Sequence, residues 1–232
     1  MSNVNVAEAR VPGFWSSLRE AVVGSHQDFT EGSIGRAIVL LAVPMVLEMC
    51  MESLFGVVDV FWVAHLGADA ISTVGLTETG LLLLFVIALG LSMGATATVA
   101  RRIGEKDHAA AELVAVQAIV VGLFISALTA ILGYFYAADL LRVMGGSEDV
   151  VKMGTVYTRV MLGGSATIFL LFLINAVFRG AGDAVTAMRA LWLANIVNMC
   201  LDPCLIFGIG PFPKMGVTGA AIGTTIGRGI GV

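Results

Sequence analysis

From about residue 37 to the last residue, apolar side chains run in long unbroken stretches, parted only by short clusters of glycine, aspartate, serine, proline and basic residues. Each stretch is long enough to cross a hydrocarbon core, which takes about 20 helical residues. The runs are continuous, whereas a membrane strand would alternate with a period of two, so the pattern predicts spanning helices rather than a barrel. It places helices over Ala37–Leu66, Ala70–Ala100, Leu113–Ala138, Met153–Phe178 and Thr186–Phe207, with a sixth beginning at Val217. The joints carry turn chemistry, as in "HLGADA", "GGSED" and "GPFPKMG". At about 1.5 Å rise per residue the sixth helix reaches Val232 before it can finish a crossing, so it reads as truncated. The fold class expected is an all-α membrane protein, a bundle of six transmembrane helices with the sixth incomplete.

Composition strengthens this picture. The 232 residues are 58% hydrophobic and 13% charged, with a mean hydropathy of +0.94, far more apolar than an ordinary water-soluble domain. Membrane lipids are the surroundings such spans require, and nothing points to a nucleic-acid partner. Residues 1–33 are more polar, have no long apolar core and do not resemble a cleaved signal peptide. Phe14, Leu18 and Val22 recur one turn apart with Trp15 beside them, which fits a short interfacial helix; a flexible cytoplasmic leader fits the composition equally. Residues 34–232 form the transmembrane unit. With the N-terminus inside, Arg10, Arg19, Arg36, Arg101, Arg102, Lys106, Arg179 and Arg189 lie on the cytoplasmic side, against Arg142, Lys152, Arg159 and Lys214 at the other. This excess predicts a multi-pass protein of the cell (inner) membrane with a cytoplasmic N-terminus. Cys50, Cys200 and Cys204 all fall within spans and offer neither a disulfide framework nor metal-ligand spacing.

Polar residues inside the spans carry the chemical information. In "NIVNMCLDPCLIFG", Asn195, Asn198 and Asp202 fall within about 60° of one another on a helical wheel and share a face. Pro203 removes an amide donor and crowds the carbonyl four residues back, which predicts a kink near Met199 with a free acceptor. Carboxylate, amide oxygen and loosened carbonyl together suit a cation; the structural alternative has the asparagines joining helices and Asp202 capping an early helix end. In the first helix Glu48, Glu52 and Asp59 lie within about 40° and form an acidic stripe, with Pro44 one turn earlier as a point of bending. A carboxylate facing lipid costs about 2.5–3.5 kcal/mol on insertion scales, so the stripe must face protein or water.

Depth groups these residues. Asp59 and Asp202 each sit about 10 Å below the outer helix ends by helix rise, and Glu78 and Thr224 lie near that depth on helices running the other way. Four helices can thus contribute to one outer-half polar site. Glu48 and Glu52 lie nearer the midplane, where a translocation pathway and a structural hydrogen-bond network are both open. In-span acids outnumber in-span bases, chiefly Arg159 and Arg228, and incompletely paired carboxylates hold protons or cations, both usable in ion-coupled transport. Gly90 with Gly94, and Gly219 with Gly223, are spaced for close helix contact. "RGAGD" and "RRIGEKD" suit turns better than phosphate cradles, because neither follows a strand. No Walker motif, HExxH or Ser/His/Asp set is present, so an enzyme is not expected, and neither is a cofactor.

Taken in order, "LAVPMVLEMCMESLFGVVDVFWVAHLGADAISTVGL", "GLSMGATATVARRIGEKD", "AVFRGAGD", "NMCLDPCLIFG" and "GVTGAAIGTT" resemble the amino-terminal lobe of the multidrug and toxic compound extrusion (MATE) family over about residues 33–232. The resemblance implies one lobe of a twelve-helix transporter that exports cationic, amphipathic compounds in exchange for Na⁺ or H⁺, with a second six-helix lobe as its missing partner. It implies cation or proton coupling at Asp59, Asn198, Asp202 and Thr224, with Thr225 adjacent, and Na⁺ ligation by Asp59, Asn198 and Asp202. Glu48, Glu52, Glu78 and Asn195 stand outside that pattern as candidate cavity or substrate contacts. The competing functions are a lipid-linked oligosaccharide flippase of the same superfamily, which the acidic bias disfavours, and a membrane enzyme with intramembrane carboxylates, for which no nucleophile or metal-ligand group is visible.

Overall fold

Three of the polar joints end on a side chain that caps the next helix, and this punctuation sets the order of elements. The computed structural model describes residues 19, 20, 22–24 and 34–232. Its helices are α1 Ile34–Ala64, α2 Ala68–Gly104, α3 His108–Val143, α4 Glu148–Gly163, α5 Ser165–Gly180, α6 Ala184–Phe207 and α7 Val217–Gly231. Asp107 accepts from the Ala110 amide at 3.0 Å, Ser147 from Val150 at 3.3 Å, and Asp183 from the Thr186 amide at 3.0 Å and hydroxyl at 2.6 Å. Each satisfies amides that the first helical turn leaves without partners. One or two residues before each cap the chain turns through positive φ, at Lys106 (60°), Gly145 (88°) and Gly182 (89°). Among the described residues Lys106 is the one non-glycine in that region, where a side chain is strained.

The spans, with α4 and α5 counted as one, run alternately up and down. One end gathers the start of α1 and the α2–α3 and α5–α6 turns, with Arg36, Arg101, Arg102, Lys106 and Arg189; it is called the basic end below. At that end Arg36 pairs with Glu20 at 2.7 Å, and Arg189 donates to the Val23 carbonyl at 2.7 Å. Phe14, Trp15 and Leu18, on which the interfacial-helix expectation rests, lie outside the described residues. Five helical stretches are long and apolar enough to span a membrane: α1, α2, α3, α4 with α5, and α6. Large apolar side chains such as Met49, Leu83, Phe124 and Phe135 stand exposed along them, as spans that meet hydrocarbon require.

The expected fourth span, Met153–Phe178, is divided. Gly164 closes α4 by donating to the Val160 carbonyl at 2.8 Å, and α5 restarts at Ser165. A Cβ at Gly164 would stand 2.7 Å from the Thr225 methyl of α7, so the break falls where the Thr225 side chain presses on the chain. Packing is dense around α2, which lies against α3, α4 and α5, while α4 and α6 flank α7. By contrast α1 leans mainly on α6 and touches α2 sparsely. A core of Val63, Val74, Leu81, Tyr157, Met161, Ile206 and Ala221 fills the end opposite the basic one.

Small-residue packing occurs at one of the two places the spacing suggested. Gly90 and Gly94 are exposed with open space beside them, so their spacing brings no helix close. On α7, Gly219, Gly223, Gly227 and Gly231 form one face pressed on α6: a Cβ at Gly219 would stand 2.6 Å from the Leu205 carbonyl, one at Gly227 2.7 Å from the Ala194 carbonyl, and one at Gly223 would strike the Asp202 carboxylate. Glycine is the residue that permits this approach.

Candidate functional site

The glycine face of α7 leaves room for the polar face of α6. Asn198 donates through Nδ2 to Thr224 Oγ1 at 3.0 Å and to Asp202 Oδ1 at 3.3 Å. Asp59 of α1 enters the same layer, and its carboxyl and that of Asp202 face each other within hydrogen-bonding reach. Asp59, Asn198, Asp202 and Thr224 are 6%, 2%, 0% and 6% exposed, so the group is sealed from bulk water. Three acceptors in it have no donor: Asp59 Oδ1, Asn198 Oδ1 and Asp202 Oδ2. Buried acceptors are normally satisfied, so three together form an incomplete coordination set. All three atoms are oxygen, the donor type that hard cations and protons favour. α6 stays helical through Pro203 to Phe207, so Asp202 lies inside a helix and does not cap an early end.

Two further residues reach this layer. Arg228, one turn beyond Thr224 on α7, holds its guanidinium 5.5 Å over the Phe85 ring, within electrostatic reach of Glu52, Asp59 and Glu78. Tyr157 of α4, 2% exposed, sits close enough to feel Asp59, Glu78 and Asp202. Glu78 is exposed and makes no hydrogen bond or ion pair among the described residues. It lies within electrostatic reach of Asp59, Arg228 and Tyr157, at the border of the layer.

Nearer the basic end the acidic stripe of α1 separates into individually partnered groups. Glu52 accepts from Asn195 Nδ2 of α6 at 3.0 Å. Glu48 accepts from Arg179 Nη1 of α5 at 3.0 Å, and Arg179 Nη2 donates to Ser92 of α2 at 3.4 Å. Arg179 lies in the last turn of α5, not in the cytoplasmic turn the sequence predicts, and points back to Glu48, so in-span pairing is more complete than the charge count implies. A groove of about 530 Å³ opens here between α1, α2, α5 and α6. Ser92, Asn175 and Arg179 are the site residues that sequence reasoning missed. Arg228 was visible but had no assigned depth.

A bundle of membrane-crossing helices with acid pairs and amides at its centre has the construction of a membrane transporter lobe. The MatE family profile matches residues 44–204, and the chain belongs to that family. A probable multidrug resistance protein NorM from Thermotoga maritima is 33% identical over 203 residues, covering 85% of this chain and 43% of the relative. An FAD transporter from Shewanella oneidensis is 29% identical over 191 residues, covering 82% and 42%. Among solved structures, a MOP superfamily transporter from Pyrococcus furiosus superposes with a TM-score of 0.80 at 33% identity, covering 87% of this chain and 44% of that one. The chain thus spans less than half the length of these proteins.

Proposed function

We propose that the chain works as one lobe of a cation-coupled antiporter that exports cationic amphipathic compounds, with Na⁺ or H⁺ bound by Asp59, Asn198, Asp202 and Thr224. The observation that carries this reading is the trio of donor-free buried oxygens on Asp59, Asn198 and Asp202. Two carboxyls in contact repel one another when both are ionised, so a proton or metal cation between them lowers the energy of the closed layer. Binding from the periplasmic side would draw α1 onto α6. With the layer neutral, α1, attached to little else, would bend about the buried Pro44 and expel the compound. Release of the ion to the cytoplasm would restore repulsion and reset the helix.

Arg228 gives the acidic layer a built-in counter-charge on its inward side. A fixed guanidinium there opposes free passage of cations, as arginines do in selective pores, and obliges the ion to move with the helix. The basic end is assigned to the cytoplasm of an inner membrane, with a second lobe closing the cavity on the open side of α1 and α2.

Export of ethidium from efflux-deficient cells carrying the full-length gene product tests the assignment. Asp59→Asn and Asp202→Asn should each abolish export while leaving membrane insertion intact. Wild-type efflux in both would remove Asp59 and Asp202 from the coupling role.

A further inference from the structure

Lys152, Val156, Arg159 and Gly163 fall within about 60° of one another on α4 and are all exposed, on a helix otherwise packed against α2, α3 and α7. From the helix start at Glu148, Lys152 lies about 6 Å and Arg159 about 16 Å along the axis by helix rise. α4 and α5 together form one span, so Lys152 stands at headgroup level and Arg159 within the hydrocarbon. The Arg159 guanidinium lies 5.5 Å from the centre of the Tyr134 ring of α3, and that ring is itself 65% exposed. Neither the Arg159 nor the Lys152 side chain makes a hydrogen bond or ion pair among the described residues. Arg179, by contrast, is bonded to Glu48 and Ser92, and Arg228 lies within electrostatic reach of three carboxylates. The acids nearest this strip do not serve it: Asp139 and Glu148 pair with Arg142, and Asp149 lies about 15 Å up the axis from Arg159 by helix rise. One turn past Arg159, Gly163 has open space where a side chain would stand.

We infer that this strip holds an anionic phospholipid from the leaflet opposite the basic end, with its phosphate on Arg159, its head toward Lys152 and an acyl chain over the gap at Gly163. A lone charge facing hydrocarbon is costly, and Arg159 keeps its cost only partly in check by resting on an aromatic face. The ring meets the flat side of the guanidinium and leaves the N–H edge without acceptors, and at this depth neither water nor a described side chain supplies them. A phosphate diester offers two oxygens in the geometry that the planar fork matches. An acyl chain alone would leave those donors unmet, and a water-soluble anion would have to shed its hydration to reach them. Charge selects among phospholipids: the strip carries two unpaired cations, so a net-negative head is favoured, whereas a zwitterionic one brings its own ammonium against Lys152. The strip is on the α3 side of the bundle, away from the Asp59–Asp202 layer and the groove beside α1, and the inference stands apart from the coupling reading.

Native mass spectrometry of the purified full-length gene product, equilibrated in micelles carrying dioleoyl phosphatidylglycerol or dioleoyl phosphatidylcholine, tests the inference. The unaltered protein should retain phosphatidylglycerol in preference to phosphatidylcholine. Arg159→Gln should bind phosphatidylglycerol about tenfold or more weakly and phosphatidylcholine as before. Arg159→Lys, which keeps the charge and loses the fork, should fall between, and Lys152→Gln should weaken phosphatidylglycerol by a smaller factor. Asp202→Asn should retain it as the unaltered protein does, so a failure of the coupling assignment leaves this site standing. A second measurement separates a lipid contact from a merely structural arginine: phosphatidylglycerol added to phosphatidylcholine vesicles should raise the unfolding temperature of the unaltered protein more than that of Arg159→Gln. Equal phosphatidylglycerol retention in Arg159→Gln and the unaltered protein would overturn the inference, as would equal loss of both lipids, which would mark an apolar contact without charge recognition. So would an unfolding-temperature deficit in Arg159→Gln that is the same with either lipid, because a carboxylate elsewhere in the full-length protein would then already hold the guanidinium.

Discussion

Asp202 has its place because residue 223 lacks a side chain. A methyl at Gly223 would strike the Asp202 carboxylate, so Gly223→Ala should keep the chain in the membrane yet lower export by more than about tenfold, at an overpacking cost of about 1–3 kcal/mol; parallel efflux and thermal-unfolding measurements check both halves. Lys106 shows the converse, a side chain where the backbone prefers none. Lys106→Gly should raise the midpoint of thermal unfolding, by the equivalent of about 1 kcal/mol. Beside it the Arg101 hydrogen bond, with Arg102 adding a second, holds the Glu105 carboxyl below its usual range. A carboxyl depressed by folding stabilises above its unfolded pKa and loses that contribution as pH falls through the folded one. The melting difference between Glu105→Gln and the unaltered chain should therefore be present at neutral pH and vanish in acid. Wheel position and depth are enough to group Asp59, Asn198, Asp202 and Thr224, because both follow from helix geometry. They could not name Arg179 as the partner of Glu48, for which the sequence left a hydrogen-bond network open, because a long arginine on the last helical turn reaches back along its helix and loop rules count only where its Cα lies.

At the scale of elements, apolar runs and turn residues make the spans legible to within about five residues, since both are local properties of the chain. The division of α4 from α5 was not legible. A Gly-Gly-Ser triplet in an apolar run is compatible with an unbroken helix, and only the approach of α7 to Gly164 gives the break its reason. Small-residue spacing was likewise ambiguous: it was identical at Gly90/Gly94 and Gly219/Gly223, but spacing says which face is smooth and not whether another helix meets it. Gly219→Val separates the two cases, because its branches would press on the α6 backbone at Leu205; it should lower thermal stability by several degrees, whereas Gly90→Ala should leave it unchanged or higher.

For the whole molecule, the uneven attachment of α1 is the architectural point. Every other long helix is wedged among several neighbours, while α1 is held chiefly by α6 and borders the groove on its other side. If its bending drives export, Met49→Cys and Met93→Cys bridged across that groove by a short thiol-reactive linker should arrest ethidium efflux, and a cleavable linker should restore it on reduction. The glycine face also bears on biogenesis. α6 is the least apolar of the five spans and carries Asn195, Asn198 and Asp202, and α7 offers few side chains to attract lipid. Packed together, each hides what the other exposes, the α7 glycines meeting the polar face of α6. The two should leave the ribosome-bound channel as one hairpin, so that a charged residue on the α7 glycine face, unlike the small apolar changes above, would hold back insertion of α6 before the question of transport arises.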